Sequence, residues 1–172
     1  MTFPFFSCSA QKKLQIETIL KQTTRVTSQD VETGRVFNRT TSFLKTKRLD
    51  PMIVMQAQNE NKLTFLLQGS ISSGGLSINN VKKIRFEKEV QSGDTLTLKY
   101  IVEIKRIPGK ESANVAGYNF TKEESYKIPE DAKIIRIELY HERLYRSHDQ
   151  YLKDKENLKL VAQQSFDFNK IQ

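Results

Sequence analysis

Apolar and polar residues alternate with a period of two through much of the second half of the chain, the spacing expected of half-buried β-strands. From Thr95 to Ile107, Leu96, Leu98, Tyr100, Val102 and Ile104 alternate with Thr97, Lys99, Glu103 and Lys105, so one face belongs to a core and the other, apart from Ile101, to water. Lys133 to Arg143 repeats the pattern, with Ile135, Ile137 and Leu139 opposite Arg136, Glu138 and Glu142. Leu158 to Phe168 does so again through Leu160, Ala162, Phe166 and Phe168. Ile84 and Phe86 begin a strand that runs to Val90, and the polar turn Gln91 to Asp94 leads into the strand at Thr95, which predicts a hairpin. Leu98, Tyr100, Val102, Ile137 and Leu139 are expected in one core.

Earlier in the chain, Met52 to Ala57 and Leu63 to Gln68 flank a turn-rich Asn-Glu-Asn segment and predict a second hairpin. Arg35 to Leu44 reads as extended, anchored by Val36, Phe37, Phe43 and Leu44. Ser70 to Asn80 and Gly109 to Glu124 read as loops. Gln11 to Thr23 places Ile16, Ile19 and Leu20 at helical spacing and would serve equally as an extended tether. A short helix is predicted over Glu142 to Asn157, carrying Leu144, His148, Tyr151 and Leu152 on one side. Seven or eight short strands with so little helix predict an all-β fold, an antiparallel β-sandwich of immunoglobulin-like or transthyretin-like kind with that helix capping one end.

At 172 residues the chain fits one domain with a core of its own, and its single cysteine forms no internal disulfide. That cysteine lies in the opening stretch MTFPFFSCSAQKK, where Ser7 followed by Cys8 resembles the lipobox of bacterial lipoprotein signal peptides. The resemblance implies that Cys8 accepts lipid and that a basic and apolar stretch lies upstream of Met1. Residues 1–7 are then the end of a signal peptide, 8–30 a lipid-attached tether and 31–172 the sandwich. It also implies a cell-envelope location. Ser9 is unlike the acidic inner-membrane retention signal of enterobacterial lipoproteins, which favours the outer membrane. If Met1 is the true start and Cys8 carries no lipid, the chain is instead a cytoplasmic protein with an apolar N-terminal strand and a free thiol. No apolar run approaches the ~20 residues of a membrane span, so attachment to a membrane requires lipid or surface charge.

The net charge of +8 is unevenly distributed. Residues 1–86 carry thirteen Lys and Arg against five Asp and Glu, whereas residues 87–172 carry fifteen of each. Arg35, Arg39, Lys45, Lys47 and Arg48 form a run with no acid between Glu32 and Asp50, and Lys82, Lys83 and Arg85 form a second cluster. The run is a candidate patch for an anionic surface or an envelope protein. Nucleic acid is the weaker partner, because no binding motif is present and only Phe37 and Phe43 supply aromatics within the run.

Catalytic signatures are sparse. His141 and His148 are the only histidines, and with no HExxH or CxxC spacing they read as surface residues at a strand end rather than metal ligands. Gly74 and Gly75 lack the phosphate-loop and nucleophile-elbow contexts, and no cofactor is expected. Asn38 to Thr40 and Asn119 to Thr121 match the N-glycosylation sequon, which has no meaning in a bacterial chain. Ile84 to Ile104, IRFEKEVQSGDTLTLKYIVEI, resembles the strand-turn-strand segment of hot-dog-fold hydratases and thioesterases. That resemblance implies acyl-thioester chemistry and a long central helix, for which Met52 to Leu67 is the only stretch available. Three function classes follow: a non-enzymatic envelope lipoprotein acting as adaptor or ligand-binding sandwich, a hot-dog acyl-thioester enzyme, and a cytosolic binder of anionic ligands.

Overall fold

The computed structural model describes residues 13–59, 61–73, 77–108, 114–144 and 158–168. These form nine strands and, among the described residues, no helix: β1 Gln15–Gln29, β2 Val36–Leu44, β3 Met52–Asn59, β4 Lys62–Ser72, β5 Ser77–Ser92, β6 Thr95–Pro108, β7 Val115–Lys127, β8 Ile134–Leu144 and β9 Leu158–Asp167. Five make one sheet in the order β2-β1-β7-β4-β3, and four make a second in the order β5-β6-β8-β9. The two sheets pack as a sandwich, as the alternating strands predict. Neighbouring strands run antiparallel except β6 and β8, which are parallel because the chain crosses to the other sheet for β7 between them.

The core lies where the period-two pattern puts it. Leu98, Tyr100, Val102, Ile137 and Leu139 are all buried in a single cluster with Leu63, Phe65, Leu67 and Phe120 of the facing sheet. Phe65 and Tyr100 meet across the two sheets edge to face, with ring centroids 5.6 Å apart. A bulge near Val161 shifts the register of β9, so Val161 and Ala162 pack on the core while Leu160 stays exposed.

Several expectations are corrected. Of the stretch Gln11 to Thr23 expected as helix or tether, the described part is not helical: from Gln15 onward it is β1, and Ile16, Thr18 and Ile19 pair with Phe120, Tyr118 and Gly117 of β7. Tertiary pairing and the β-branched residues Thr18, Ile19, Thr23, Thr24, Val26 and Thr27 outweigh the helical spacing. The folded unit therefore takes in residues first assigned to a tether ending at residue 30. The loop expected at Gly109 to Glu124 is a central strand from Val115 on, and that at Ser70 to Asn80 gives its two ends to β4 and β5. Glu142 to Leu144 continues β8 rather than starting a helix, and the remainder of that segment lies outside the described residues. Met52 to Leu67, the stretch the hot-dog resemblance requires as a central helix, is the antiparallel β3–β4 hairpin. The resembling segment Ile84 to Ile104 is the β5–β6 hairpin of a sandwich sheet.

The link from β2 to β3 crosses the outer face of the five-stranded sheet. Lys45 N–H donates to Leu20 of β1 at 2.9 Å. The Asn119 amide of β7 then donates to the carbonyl of Lys47 at 2.9 Å and accepts from the N–H of Leu49 at 3.0 Å. The same amide donates to Glu17 of β1 at 2.9 Å. Asn119 is buried and fully engaged in fastening this strap, so it is no glycan acceptor. Gly117 next to it has φ of 152°, and a Cβ there would stand 2.0 Å from the carbonyl oxygen of Ile71. Only glycine fits.

Candidate functional site: a projecting two-stranded arm

β1 belongs to the five-stranded sheet only through Gln15 to Leu20, where it pairs with β7. Beyond that it pairs with β2 alone, from Lys21 opposite Leu44 to Gln29 opposite Val36. Nine residue pairs at about 3.4 Å each make an arm about 30 Å long. Threonines and β-branched residues favour the extended form, and side-chain hydrogen bonds join the strands: the Thr27 hydroxyl donates to Asn38 at 2.9 Å, and Thr23 lies 3.4 Å from Ser42.

The tip is closed by Asp30. Its carboxylate accepts from Thr33 N–H at 2.8 Å, Glu32 N–H at 3.0 Å and the Thr33 hydroxyl at 2.9 Å, bonds that lower its pKa, led by the Thr33 backbone. Gly34 supplies φ of 66°, where side chains are strained. Val31 at the apex is fully exposed.

The register sorts the side chains of the arm into two faces. Val26, Phe37, Arg39, Thr41 and Phe43 lie on one, which continues the face bearing Ile16 and Leu20 at the base. Lys21, Arg25, Val36, Asn38, Thr40 and Leu44 lie on the other. Every residue of β2 is exposed.

The five basic residues expected as one patch are separated by this geometry. Arg35 stands at the end of the tip turn, and its carbonyl accepts from Asp30 N–H at 2.9 Å. Arg39 shares a face with Phe37 and Phe43. Lys45 and Lys47 are exposed on the strap. Arg48 is half-buried there and donates to the Ser72 hydroxyl and, at 3.1 Å, to the Ala116 carbonyl, so it holds the strap down. Cys8 lies outside the described residues. Lys21 and Arg25 join the basic arm although the sequence reading placed them in a helix or tether; the run Thr23-Thr24-Arg25-Val26-Thr27 carried the strand signal that would have found them.

The second basic cluster is matched by acids. Buried Glu103 is 3.0 Å from Arg85 and 3.4 Å from Lys83, and Arg85 also contacts Glu142 at 3.0 Å. The bond to Glu142 raises the Arg85 pKa. This group is internally compensated, in contrast to the arm.

Between the sheets, Lys122 and Glu124 of β7 are both buried and form an ion pair, and Lys122 also donates to the Ile84 carbonyl at 3.3 Å. Burial raises the Tyr100 hydroxyl pKa, with Glu124 adding to the effect. Nearby Tyr126 donates to Glu89.

His141 also differs from the sequence reading. Rather than a surface residue, it is half-buried against Phe120, ring centroids 5.9 Å apart, with Nε2 shut from solvent. Burial first, then Lys159 and Arg143, lower its pKa from 6.5 to about 4. The folded protein therefore holds His141 neutral where the unfolded chain takes up a proton. Stability is full above pH 6.5 and falls as pH drops from 6.5 towards about 4, by no more than about 3 kcal/mol. Urea titrations across this range should show that loss in wild type and a flatter profile in His141→Gln; equal profiles would show that another group is responsible. His148 lies outside the described residues.

Fold and site together define an all-β sandwich protein with a projecting, basic and apolar two-stranded arm. No family model, no curated protein and no solved structure matches the chain.

Proposed function

We propose that the chain is a non-enzymatic cell-envelope lipoprotein, held to the outer membrane through lipid on Cys8 and acting as an adaptor that presents its arm to an anionic partner. The arm is the observation that carries this reading. Phe37, Phe43, Val26 and Arg39 are exposed together on one face of a ribbon standing clear of the sandwich, and Lys45 and Lys47 are exposed at its base. Exposed apolar side chains beside Arg39, with further lysines at the base, are the composition of a docking surface for anionic groups. The lipobox-like Ser7-Cys8 supports the anchoring part of the reading.

One experiment with three chains tests it. Expressed with a complete lipoprotein signal, wild type should incorporate labelled palmitate and partition into detergent, and Cys8→Ser should do neither. Arg39→Glu with Lys45→Glu should keep the label but lose low-salt binding to anionic vesicles, since exposed charges are screened within about 8 Å at physiological ionic strength. An unlabelled, soluble wild type would overturn the anchor, and charge reversals without effect on vesicle binding would overturn the docking face.

A further inference from the structure

We infer that the chain forms a two-fold dimer by pairing β2 with β2 of a second copy, edge to edge along the arm. Within the arm, the side of β1 beyond Leu20 that β7 does not reach is paired with no described strand, and that segment carries Lys21 and Arg25. The outermost strands of the two sheets are four: β2 and β3 on one, β5 and β9 on the other. Three carry the devices by which β-proteins block strand addition. β3 follows Pro51 and is interrupted by a register shift between Met55 and Ala57. β5 has two such shifts, with Lys82, Lys83, Glu87 and Glu89 along it. The β8–β9 register shifts between Leu139 and Tyr140, and Lys159 stands on β9.

β2 has neither bulge nor proline, and Arg39 is its one charged residue. Its nine residues, VFNRTTSFL, hold an unbroken register with β1, contain no proline, glycine, lysine or acid, and are all exposed. The strap leaves Leu44 in the opposite direction, over β1 and β7, and no other described strand pairs with the outer edge of β2. That edge presents half of the strand's backbone N–H and C=O groups without a strand to receive them. A ribbon of two strands is also marginal in water without further pairing.

The occupant follows from the sequence of the strand. A two-fold axis normal to the sheet pairs strands antiparallel, and the register in which all nine residues overlap sets the axis at Thr40. Phe37 then stands opposite Phe43 of the second copy, Val36 opposite Leu44, Asn38 opposite Ser42 and Arg39 opposite Thr41. Aromatics meet aromatics, aliphatics meet aliphatics, polar groups meet polar groups, and no like charges are opposed within the strand. Shifting the axis one residue to Arg39 would set the two Arg39 side chains face to face, which disfavours that register. The dimer joins two five-stranded sheets into one continuous sheet of ten, with the β1 and β2 strands of both copies as a four-stranded bridge. Both faces of the arm stay accessible.

Sedimentation equilibrium on the full chain carrying Cys8→Ser, which removes lipid and intermolecular disulfides, tests the pairing separately from the anchor. The expected mass is twice that of the chain. Phe37→Lys with Phe43→Lys opposes like charges across the axis and should weaken the dimer on the order of tenfold or more. Phe37→Glu with Phe43→Lys substitutes the same exposed sites but sets Glu opposite Lys of the other copy, and should retain the dimer. Residues 37 and 43 are about 20 Å apart along one strand, too far to compensate each other within a chain. A chain monomeric at the highest concentration reached, or a dimer that treats the two double variants alike, would overturn the inference.

Discussion

Glu124→Leu alone is expected to destabilise the protein by about 3 to 5 kcal/mol, the usual cost of leaving one member of a buried ion pair without its partner. Lys122 and Glu124 are two residues apart on β7, both on the face turned to the second sheet and both buried. Without Glu124, the Lys122 ammonium keeps one hydrogen bond, to the Ile84 carbonyl, and cannot move to water without opening the β5 side of the sandwich. Lys122→Met with Glu124→Leu should recover most of the loss, because a well-packed apolar pair carries no desolvation cost. Urea unfolding of the single and double variants measures both. A neutral single variant would mean that the pair is solvated. A double variant as unstable as the single would mean that the cost arises from packing instead.

Ile137→Ala should cost about 2 to 5 kcal/mol, the range for removing a branched side chain from a closed core. Ile137 is fully buried at the middle of β8, beside Leu98 on β6 and Gln164 on β9, so sequence neighbours cannot collapse into the space. Ile16→Ala, at an exposed position of β1, is the control and should stay within about 0.5 kcal/mol. A loss at Ile137 no larger than the control would place that residue outside the core.

What the sequence made legible is what obeys a single periodicity. β6, β8 and β9 alternate strongly enough for their extents and most of their core residues to follow from the sequence, but the bulge at Val161 that leaves Leu160 exposed and the burial of Glu103 on the second face of β6 do not follow from alternation. β7 escapes the same reading because its inward positions include Lys122 and Glu124 and because Gly117 and Asn119 serve close packing and the strap; together they look like loop chemistry. β1 escapes because it is sheet for six residues and projecting ribbon for the rest, so no face is consistently apolar. The basic run was visible as composition. Its division into arm, turn and strap was not, since that depends on where β2 ends and the chain turns back over β7. Arg48 shows the limit most sharply: it has the same charge as Arg39 but is held by Ser72 and Ala116, residues far from it in sequence.

The position of β7 between β1 and β4 also has a consequence in time. Glu17 and its partner Asn119 are 102 positions apart, while the strands of the arm and of the β3–β4 hairpin are close neighbours along the chain. Local hairpins close in microseconds, whereas a central strand that must enter between two earlier pieces waits for its own synthesis and for closure of a long loop. A ribosome delivering this chain from the N-terminus would release two ready hairpins with a gap between them, and the strap could be fastened only after Asn119 arrived to receive it. The commitment to the folded state thus falls late in the chain, and Gly117 and Asn119 are where slow or failed folding should first be felt.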